Sequence, residues 1–256
     1  MKKIEIKVLN PEVVVEAEKM MVCAARLTQR GHKIKNLGDF MALYNQDYKE
    51  ETAAAMAKLP HPTTQKLGAI NVVVVGASRR FLAQITRHQN EVKFMSASLQ
   101  YSDYSGEADF VVPYGLLKFD DIYRQDYLNT CKRSMAGYKA AVSWGVDNDS
   151  AGYMAPQGLR NVLIISATPY QWKHMISQRV CRRNTPETRY VMLRIWETLY
   201  GLSPILFSRE TTGPFCMKDG CKEGKMACGS PIRPEATPAE IIKTDFPLLT
   251  GGPANE

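Results

Sequence analysis

The sequence predicts an α+β fold in which helices pack on a central antiparallel or mixed sheet. Strand-like and helix-like segments are mixed along the chain without the strict alternation that a parallel sheet requires. The most apolar stretch, residues 69–77, has the length of a strand and is too short to span a membrane. With 256 residues, of which 45% are hydrophobic, the chain is long and apolar enough to bury one sizeable core.

The first elements have clear boundaries. Alternation over residues 4–8 predicts a strand. Asn10, followed by proline and glutamate, predicts an N-capped helix that runs to about Gln29 and stops before a glycine. Residues 38–58 are predicted to be helical with one break, and the proline at position 60 ends that region.

A buried strand over residues 70–75 leads into a short helix that Ser78 is expected to cap. This helix is predicted to carry the polar side chains of Gln84, Arg87 and His88.

The second half continues in the same mixed style. It is predicted to contain strands over 109–113 and 161–167 and helices over 120–144, 169–181 and 186–202. The last of these is amphipathic, with Val191, Ile195 and Leu199 on one side.

We predict one domain over residues 1–232, with a cysteine-containing tail from about residue 208, and a C-terminal extension over 233–256. The end of this extension, residues 250–256, is expected to fray.

The composition favours anionic partners. The net charge is +7 and the isoelectric point is near 9.0, which suits nucleotides, nucleic acid or acidic surfaces, although surface lysines and arginines also serve solubility. The amino terminus enters a strand directly, with no apolar signal core, and no run is long enough for a membrane span. We therefore expect a cytoplasmic protein, whose six cysteines are thiols or metal ligands rather than disulfides.

Hydrogen-bonding side chains are concentrated between residues 84 and 101. The chain reads Arg87-His88-Gln89 and then Ser98-Leu99-Gln100-Tyr101. Donors at this density, where a helix meets a serine-rich loop, suit a ligand with phosphates and a polar ring.

Together with downstream segments, this stretch resembles the flavin-dependent thymidylate synthase family. The family signature is Arg-His-Arg, seven residues, then Ser-x-Arg-Tyr, and the spacer here is one residue longer. Residues 179–189 resemble the family's Arg-x-Cys-x-Arg-Ala-Gln-x-Glu-Ile-Arg, and residues 213–229 resemble the cysteine-containing tail of one branch. The similarity covers roughly residues 61–229.

The resemblance implies a homotetramer that holds FAD, with active sites at subunit interfaces. NADPH would reduce the flavin, methylenetetrahydrofolate would give a one-carbon unit to dUMP, and a flavin hydride would complete dTMP. Nucleic acid is not expected as a partner.

The resemblance also assigns roles to residues. Arg179 corresponds to the arginine that stabilises negative charge on the uracil ring, and is the catalytic candidate. The cofactor-binding candidates are Thr63, Arg87, His88, Gln89, Ser96, Thr168, Pro169, Tyr170 and His174. The substrate-binding candidates are Gln84, Arg87, Ser96, Ala97, Ser98, Leu99, Gln100 and Arg179.

Three family arginines are replaced here, by Gln89, Gln100 and Gly152, and the segment 61–67 retains only part of a family motif. Each charged hydrogen bond contributes about 1.5–3 kcal/mol, so losing phosphate-site arginines weakens dUMP binding unless other cations compensate. The candidates for compensation are Lys93, Lys173, Arg182 and Arg183. Two alternatives therefore remain. One is a family member that methylates or hydroxymethylates another pyrimidine nucleotide, and the other is a non-catalytic nucleotide-binding or nucleic-acid-binding homologue.

Two motifs have a second interpretation. Arg179, Arg183 and Glu187 are spaced to form a salt-bridged helix face instead of a ligand site. Cys216, Cys221 and Cys228, with Cys181, could bind a metal, but the spacing lacks a Cys-x2-Cys knuckle, and reduced thiols are the default.

Overall fold

The computed structural model describes residues 1, 4–59, 61–218 and 220–250, and its fold is α+β as predicted. Four strands form one antiparallel sheet in the order β1-β2-β4-β3. The strands are β1 (Glu5–Val8), β2 (Ile70–Ser78), β3 (Val92–Ser96) and β4 (Arg160–Ala167).

The described residues also form helices. They are α1 (Pro11–Arg30), α2 (Leu37–Tyr44), α3 (Glu50–Ala57), α4 (Arg79–Ile85), α5 (Asp121–Ser143), α6 (Asn148–Gly152), α7 (Pro169–Arg179), α8 (Pro186–Leu202), α9 (Pro238–Asp245) and α10 (Pro247–Thr250). Short 3-10 turns lie at Gly31–Lys33, Pro62–Gln65, Tyr114–Lys118, Phe215–Met217 and Gly224–Met226.

The two faces of the sheet have different environments. Alternate residues such as Val72, Val74 and Ile165 are buried in the main core beneath the helices. On the opposite face, Ile164 lies between its cross-strand partners Val73 and Met95, and Met95 is 72% exposed. The sheet therefore buries one face in this chain and presents apolar side chains on the other.

Helix α8 is the centre of the main core. Val191, Ile195 and Leu199 are fully buried, which confirms the predicted apolar side. Met192 and Trp196 are also fully buried, because α8 contacts the sheet, α7 and α9 at once. The Trp196 indole donates a hydrogen bond to the Phe207 carbonyl over 3.0 Å, which satisfies its polar atom inside the core.

Two local predictions are wrong, and one strand was not predicted. Asn10 does not cap α1 with its side chain; its amide bonds Ala69 and Asn71 and so ties the helix start to β2. Residues 109–113 form only one isolated bridge, between Phe110 and Leu159. Strand β3, which is only five residues long, has no counterpart among the predicted elements.

The predicted helix after Ser78 is shorter than expected. Ser78 does cap α4, accepting a hydrogen bond from the Phe81 amide over 3.1 Å. The helix ends at Ile85, so Arg87 and His88 follow it rather than lie on it. The chain must leave the helix there because it turns to enter β3.

The C-terminal segment packs on the same core as the rest of the chain. Ile242 and Phe246 are buried, and the Phe246 ring lies 5.4 Å from that of Tyr190 in α8. Asp245 binds Arg189 of α8 and, over 2.7 Å, Arg182. Of the residues predicted to fray, only Thr250 is described, at the end of α10; the others lie outside the described residues.

No helix in the described ranges is long and apolar enough to cross a membrane.

Candidate functional site

Arg179, at the last turn of α7, is held by three neighbours. Its Nε donates to His88 Nε2 over 2.8 Å, and a terminal nitrogen donates to the backbone carbonyl of Gln84 over 3.0 Å. A longer contact of 3.4 Å reaches Asn184 Oδ1. These contacts hold the guanidinium in one orientation, and among the described residues no carboxylate forms an ion pair with it. The second interpretation, a salt-bridged face that includes Glu187, is therefore wrong. Glu187 instead accepts from the Ser78 amide over 2.7 Å.

The His88 ring is the buried support of this arginine. It is 7% exposed, and burial, with the nearby Arg179 and His174, lowers its pKa to about 4. The imidazole is therefore neutral near pH 7 and can accept the Arg179 hydrogen bond. Its ring meets that of His174 edge to face, with centroids 6.0 Å apart.

The charge at Arg179 is reinforced by Arg87. Burial and then the charge of Arg87 lower the pKa of the Arg179 guanidinium. Arg87 is exposed, and within the described ranges it forms no ion pair. Two guanidinium groups whose charges act on each other, with no ion pair to a carboxylate of the described residues, favour an anion.

Gln84 is fixed with its amide oxygen turned inward. Its Oε1 accepts hydrogen bonds from the hydroxyls of Thr185 and Thr188, over 2.8 and 2.5 Å. Its amide nitrogen makes no hydrogen bond to any residue that the structure describes. Gln84 is thereby left as a donor, which suits a carbonyl oxygen on a ligand.

The candidates at the start of α7 form a separate hydrogen-bonded group. Thr168 caps the helix, accepting from the Gln171 amide over 3.3 Å, and its hydroxyl also donates to Glu91. Pro169 is buried, whereas Tyr170 is exposed. Thr63 and Gln89 are exposed as well, on the turn after α3 and on the turn before β3.

The predicted substrate loop lies beyond the end of β3. Ser96 ends the strand, and the Ala97 amide donates to the Val162 carbonyl over 3.1 Å. Ser98 Oγ accepts from the Gln100 amide over 3.0 Å. In the described chain, no hydrogen bond joins the segment 96–100 to Arg179, His88 or Gln84.

Leu99 of this loop packs on a second core cluster, beside α6. A Cβ atom added to Gly152 would lie 3.1 Å from Leu99 Cβ and 3.4 Å from its Cδ1. Leu99 thus occupies the space into which a side chain at position 152 would grow.

A cavity of about 610 Å3 lies between the end of α7 and the cysteine tail. Its lining includes Arg179, Arg183 and Asn184, together with all four cysteines considered above as metal ligands: Cys181, Cys216, Cys221 and Cys228. Among the described residues, no group of three or more His, Cys, Asp or Glu is placed to hold a metal ion. Burial raises the pKa of the Cys181 thiol, which favours its protonated form.

The four cations considered for compensation differ in their surroundings. Arg182 is committed to Asp245 and to the Ser230 carbonyl. Lys173 is buried and bonds Gln65. Arg183 and Lys93 are exposed, and Arg183 also lines the cavity beside Arg179.

Sequence reasoning missed the residues that orient the site. Asn184, Thr185 and Thr188 bond Arg179 and Gln84, but no role was assigned to them. Their position inside the block that resembles the family motif was the available signal.

The family model described as "Thymidylate synthase complementing protein" matches residues 12–205, and the chain belongs to that family. Curated relatives are flavin-dependent thymidylate synthases. The one from Geobacter sulfurreducens is 24% identical over 171 residues, covering 67% of this chain and 72% of the relative. The one from Thermococcus kodakarensis is 26% identical over 173 residues, covering 65% and 69%. The protein is thus an enzyme of this family, and the predicted resemblance is confirmed.

Two solved structures share the fold. One is the UMP/dUMP methylase PolB from Streptomyces cacaoi, bound to 5-Br dUMP, with a TM-score of 0.60 and 14% identity over 80% of this chain and 93% of that one. The other is thymidylate synthase X from Helicobacter pylori with FAD and dUMP, with a TM-score of 0.57 and 15% identity over 80% and 97%.

Proposed function

We propose that this protein is an FAD-dependent thymidylate synthase that reductively methylates dUMP to dTMP, using methylenetetrahydrofolate as the one-carbon donor and NADPH as the reductant. The observation that carries this proposal is the Arg179 guanidinium, which neutral His88 and the Gln84 backbone carbonyl hold in place. The charge of Arg87 also acts on it, and neither arginine forms an ion pair with a carboxylate of the described residues. A fixed cation of this kind stabilises the negative charge that develops on a uracil ring when it is activated as a nucleophile.

The residues around Arg179 fit a pyrimidine. Because the Gln84 oxygen is bound by Thr185 and Thr188, its amide nitrogen faces outward as a donor for a ring carbonyl. Arg179 is the proposed catalytic residue, and Gln84 orients the base. The loop 96–100, with backbone amides and the Ser98 hydroxyl, is the proposed nucleotide-binding segment.

The chemistry around His88 also fits FAD. Arg87 offers a forked donor for a phosphate, and His88 and His174 offer ring faces and edges beside it. Thr63, Gln89, Ser96, Thr168, Pro169 and Tyr170 complete the proposed flavin contacts. Bound flavin would supply the hydride; the side chains bind it, orient the pyrimidine and hold the charge.

We infer that the active unit is a homotetramer located in the cytoplasm. An apolar sheet face that includes Met95 and Ile164 is exposed in the single chain, which is typical of a surface that another subunit covers. The absence of hydrogen bonds between loop 96–100 and the Arg179 group in the described chain supports sites shared between subunits. The site around Arg179 and His88 is built from a few partly buried side chains rather than from an extended basic surface. We therefore do not propose nucleic acid as a partner.

A second candidate substrate is another pyrimidine nucleotide, such as UMP. The packing of Leu99 against Gly152 favours it, because that contact removes the room for a family arginine. Glutamines at positions 89 and 100 reduce the positive charge further. In this alternative the flavin and folate chemistry is unchanged, and the product carries a methyl or hydroxymethyl group.

The test is the visible absorption spectrum of the purified protein, titrated first with dUMP and then with UMP. A flavin spectrum that shifts at micromolar dUMP, followed by mass-spectrometric detection of dTMP on addition of both co-substrates, is the expected result. A flavin spectrum that responds to UMP alone would replace the substrate and retain the chemistry. A protein that neither contains nor takes up FAD would refute the proposal.

A further inference from the structure

Glu91 combines an unusual backbone conformation with a side chain that is held on two sides. Its φ is +53°, and within the described ranges it is the only residue other than glycine with a positive φ. This conformation is unfavourable for a residue with a Cβ atom, so it persists only where surrounding contacts impose it. Residues of this kind are concentrated at binding and catalytic sites, and the contacts of Glu91 therefore point to a role.

The two carboxylate oxygens of Glu91 bind two different segments of the chain. Oε1 accepts from Lys66 Nζ over 2.6 Å, and Oε2 accepts from the Thr168 hydroxyl over 3.2 Å. The sheet register explains the second contact: Val92 pairs with Ala167 in the antiparallel ladder, so Glu91 lies across from Thr168. The side chains of Lys66 and Glu91 are 35% and 34% exposed, so their ion pair is partly shielded from water.

Lys66 extends this contact to the aromatic ring of Tyr170. Its Nζ lies 5.2 Å from the centre of that ring, within the range of a cation–π interaction. Its backbone amide donates to the Thr63 carbonyl over 3.1 Å, which places Lys66 at the end of the turn Pro62–Gln65. One carboxylate thus connects the turn that carries Thr63 with the start of α7, which carries Tyr170.

The connected segments are three that supply proposed flavin contacts. Thr63 lies on the first, Gln89 on the second, together with Glu91 itself, and Thr168 and Tyr170 on the third. When a binding site is assembled from separate segments, the freedom between them is lost on binding, at the expense of affinity. Contacts that fix the segments beforehand therefore strengthen binding.

We propose that Glu91 is a positioning residue of the flavin site, which holds Lys66 and Thr168 and thereby orders the three segments before FAD binds. This inference rests on the proposed function, from which it takes the flavin contacts. It gives a role to Glu91 and Lys66, neither of which is among the predicted site residues.

The dissociation constant of FAD tests the proposal in the full-length protein. Bound flavin is measured by visible absorption and fluorescence at graded FAD concentrations. Glu91→Gln keeps the size of the side chain but removes its charge, and we expect it to weaken FAD binding by roughly 5- to 10-fold. Turnover should fall at low FAD and recover at saturating FAD, because a positioning residue of this kind acts through cofactor binding and not on the reacting atoms.

Two further variants separate the carboxylate from the backbone and from ion pairs in general. Glu91→Gly favours the left-handed backbone and removes the carboxylate, so it should retain the turn and weaken FAD binding at least as much as Glu91→Gln. Glu197→Gln is the matched control. It breaks a partly exposed ion pair with Arg194 on α8, where the nitrogen and oxygen are 3.0 Å apart, and it should leave FAD binding unchanged.

A double variant tests whether Lys66 and Glu91 act together. Lys66→Gln alone should also weaken FAD binding. Combined with Glu91→Gln it should cause little further loss, because both changes remove the same contact. Two losses that multiply would show that the residues act independently and would overturn the pairing.

The remaining outcomes are equally defined. The inference is overturned if Glu91→Gln and Glu91→Gly bind FAD as tightly as the parent, if Glu197→Gln weakens binding equally, or if turnover does not recover at saturating FAD. The parent separates this inference from the proposed function. A parent that takes up no FAD refutes both, whereas a parent that binds FAD and responds to dUMP, beside a Glu91→Gln variant of equal affinity, refutes the inference alone.

Discussion

Replacing His88 with glutamine tests whether a neutral imidazole holds Arg179. In the folded protein the His88 pKa is about 4, whereas its ordinary value is 6.5. Because the folded pKa is the lower one, His88 stabilises the fold fully above pH 6.5, and this contribution is lost as the pH falls toward 4. The gap between the two values corresponds to about 3 kcal/mol, of which about 2 kcal/mol is lost between pH 7 and pH 5.

Glutamine retains an acceptor for the Arg179 Nε–H but does not titrate. The His88→Gln variant should therefore lack the part of the pH dependence that His88 causes. Carboxylates titrate in both proteins, so they cancel in the comparison. We expect the free energy of unfolding of the parent, relative to the variant, to fall by about 2 kcal/mol from pH 7 to pH 5.

Urea denaturation at both pH values, followed by circular dichroism, measures this difference. His32→Gln is a suitable control because His32 is exposed on the turn after α1, and this variant should follow the parent. If His88→Gln and the parent instead lose stability in parallel, then His88 is not held neutral, and the account of the Arg179 support is wrong.

Three further changes have defined outcomes. Arg179→Lys removes the forked contacts with His88 and the Gln84 backbone carbonyl. Nucleotide turnover should fall by roughly 100- to 1,000-fold while the flavin spectrum is retained. Unchanged turnover would exclude Arg179 from catalysis. Asp245→Asn removes the negative charge that Arg182 and Arg189 share at a carboxylate that is 8% exposed. Urea denaturation should show a free energy of unfolding lower by roughly 3 kcal/mol. An unaltered midpoint would show that packing alone holds the C-terminal helices. Gly213 has a φ of +101°, and Gly213→Ala places a Cβ atom 2.8 Å from the Trp196 ring. The free energy of unfolding should fall by roughly 2–4 kcal/mol. The control Gly220→Ala, also at positive φ but with open space around it, should cost only about 1–2 kcal/mol, and equal losses would mean that backbone strain alone matters.

Local sequence was most informative where one physical cause acted alone. Proline and an acidic residue at its start and a continuous apolar stripe defined α8, and its predicted bounds of 186–202 are those observed. The serine before α4 was a correct cap because its hydroxyl accepts from the Phe81 amide while it donates to Glu187, so the distant partner does not displace the cap. Asn10 had such a competitor: β2 offered its side chain both a donor and an acceptor, which only the fold brought within reach.

The candidate site divides in the same way. The Arg87-His88 pair and Arg179 could be identified from their motifs, since the residue types themselves carry the chemistry. Neither the depressed pKa of His88 nor the inward orientation of Gln84 could be predicted, because both depend on burial and on partners about a hundred residues away.

By itself, the sequence determined the fold class, most of the helices and the residues of the flavin-dependent family motif, because periodicity, capping residues and side-chain chemistry are local properties. The tertiary structure decided which of these residues meet. It placed neutral His88 under Arg179, packed Leu99 against Gly152, and brought Glu91 to Lys66 and Thr168. Those arrangements arise from contacts between distant segments, whose energies depend on burial and distance, and neither quantity is written in the order of residues.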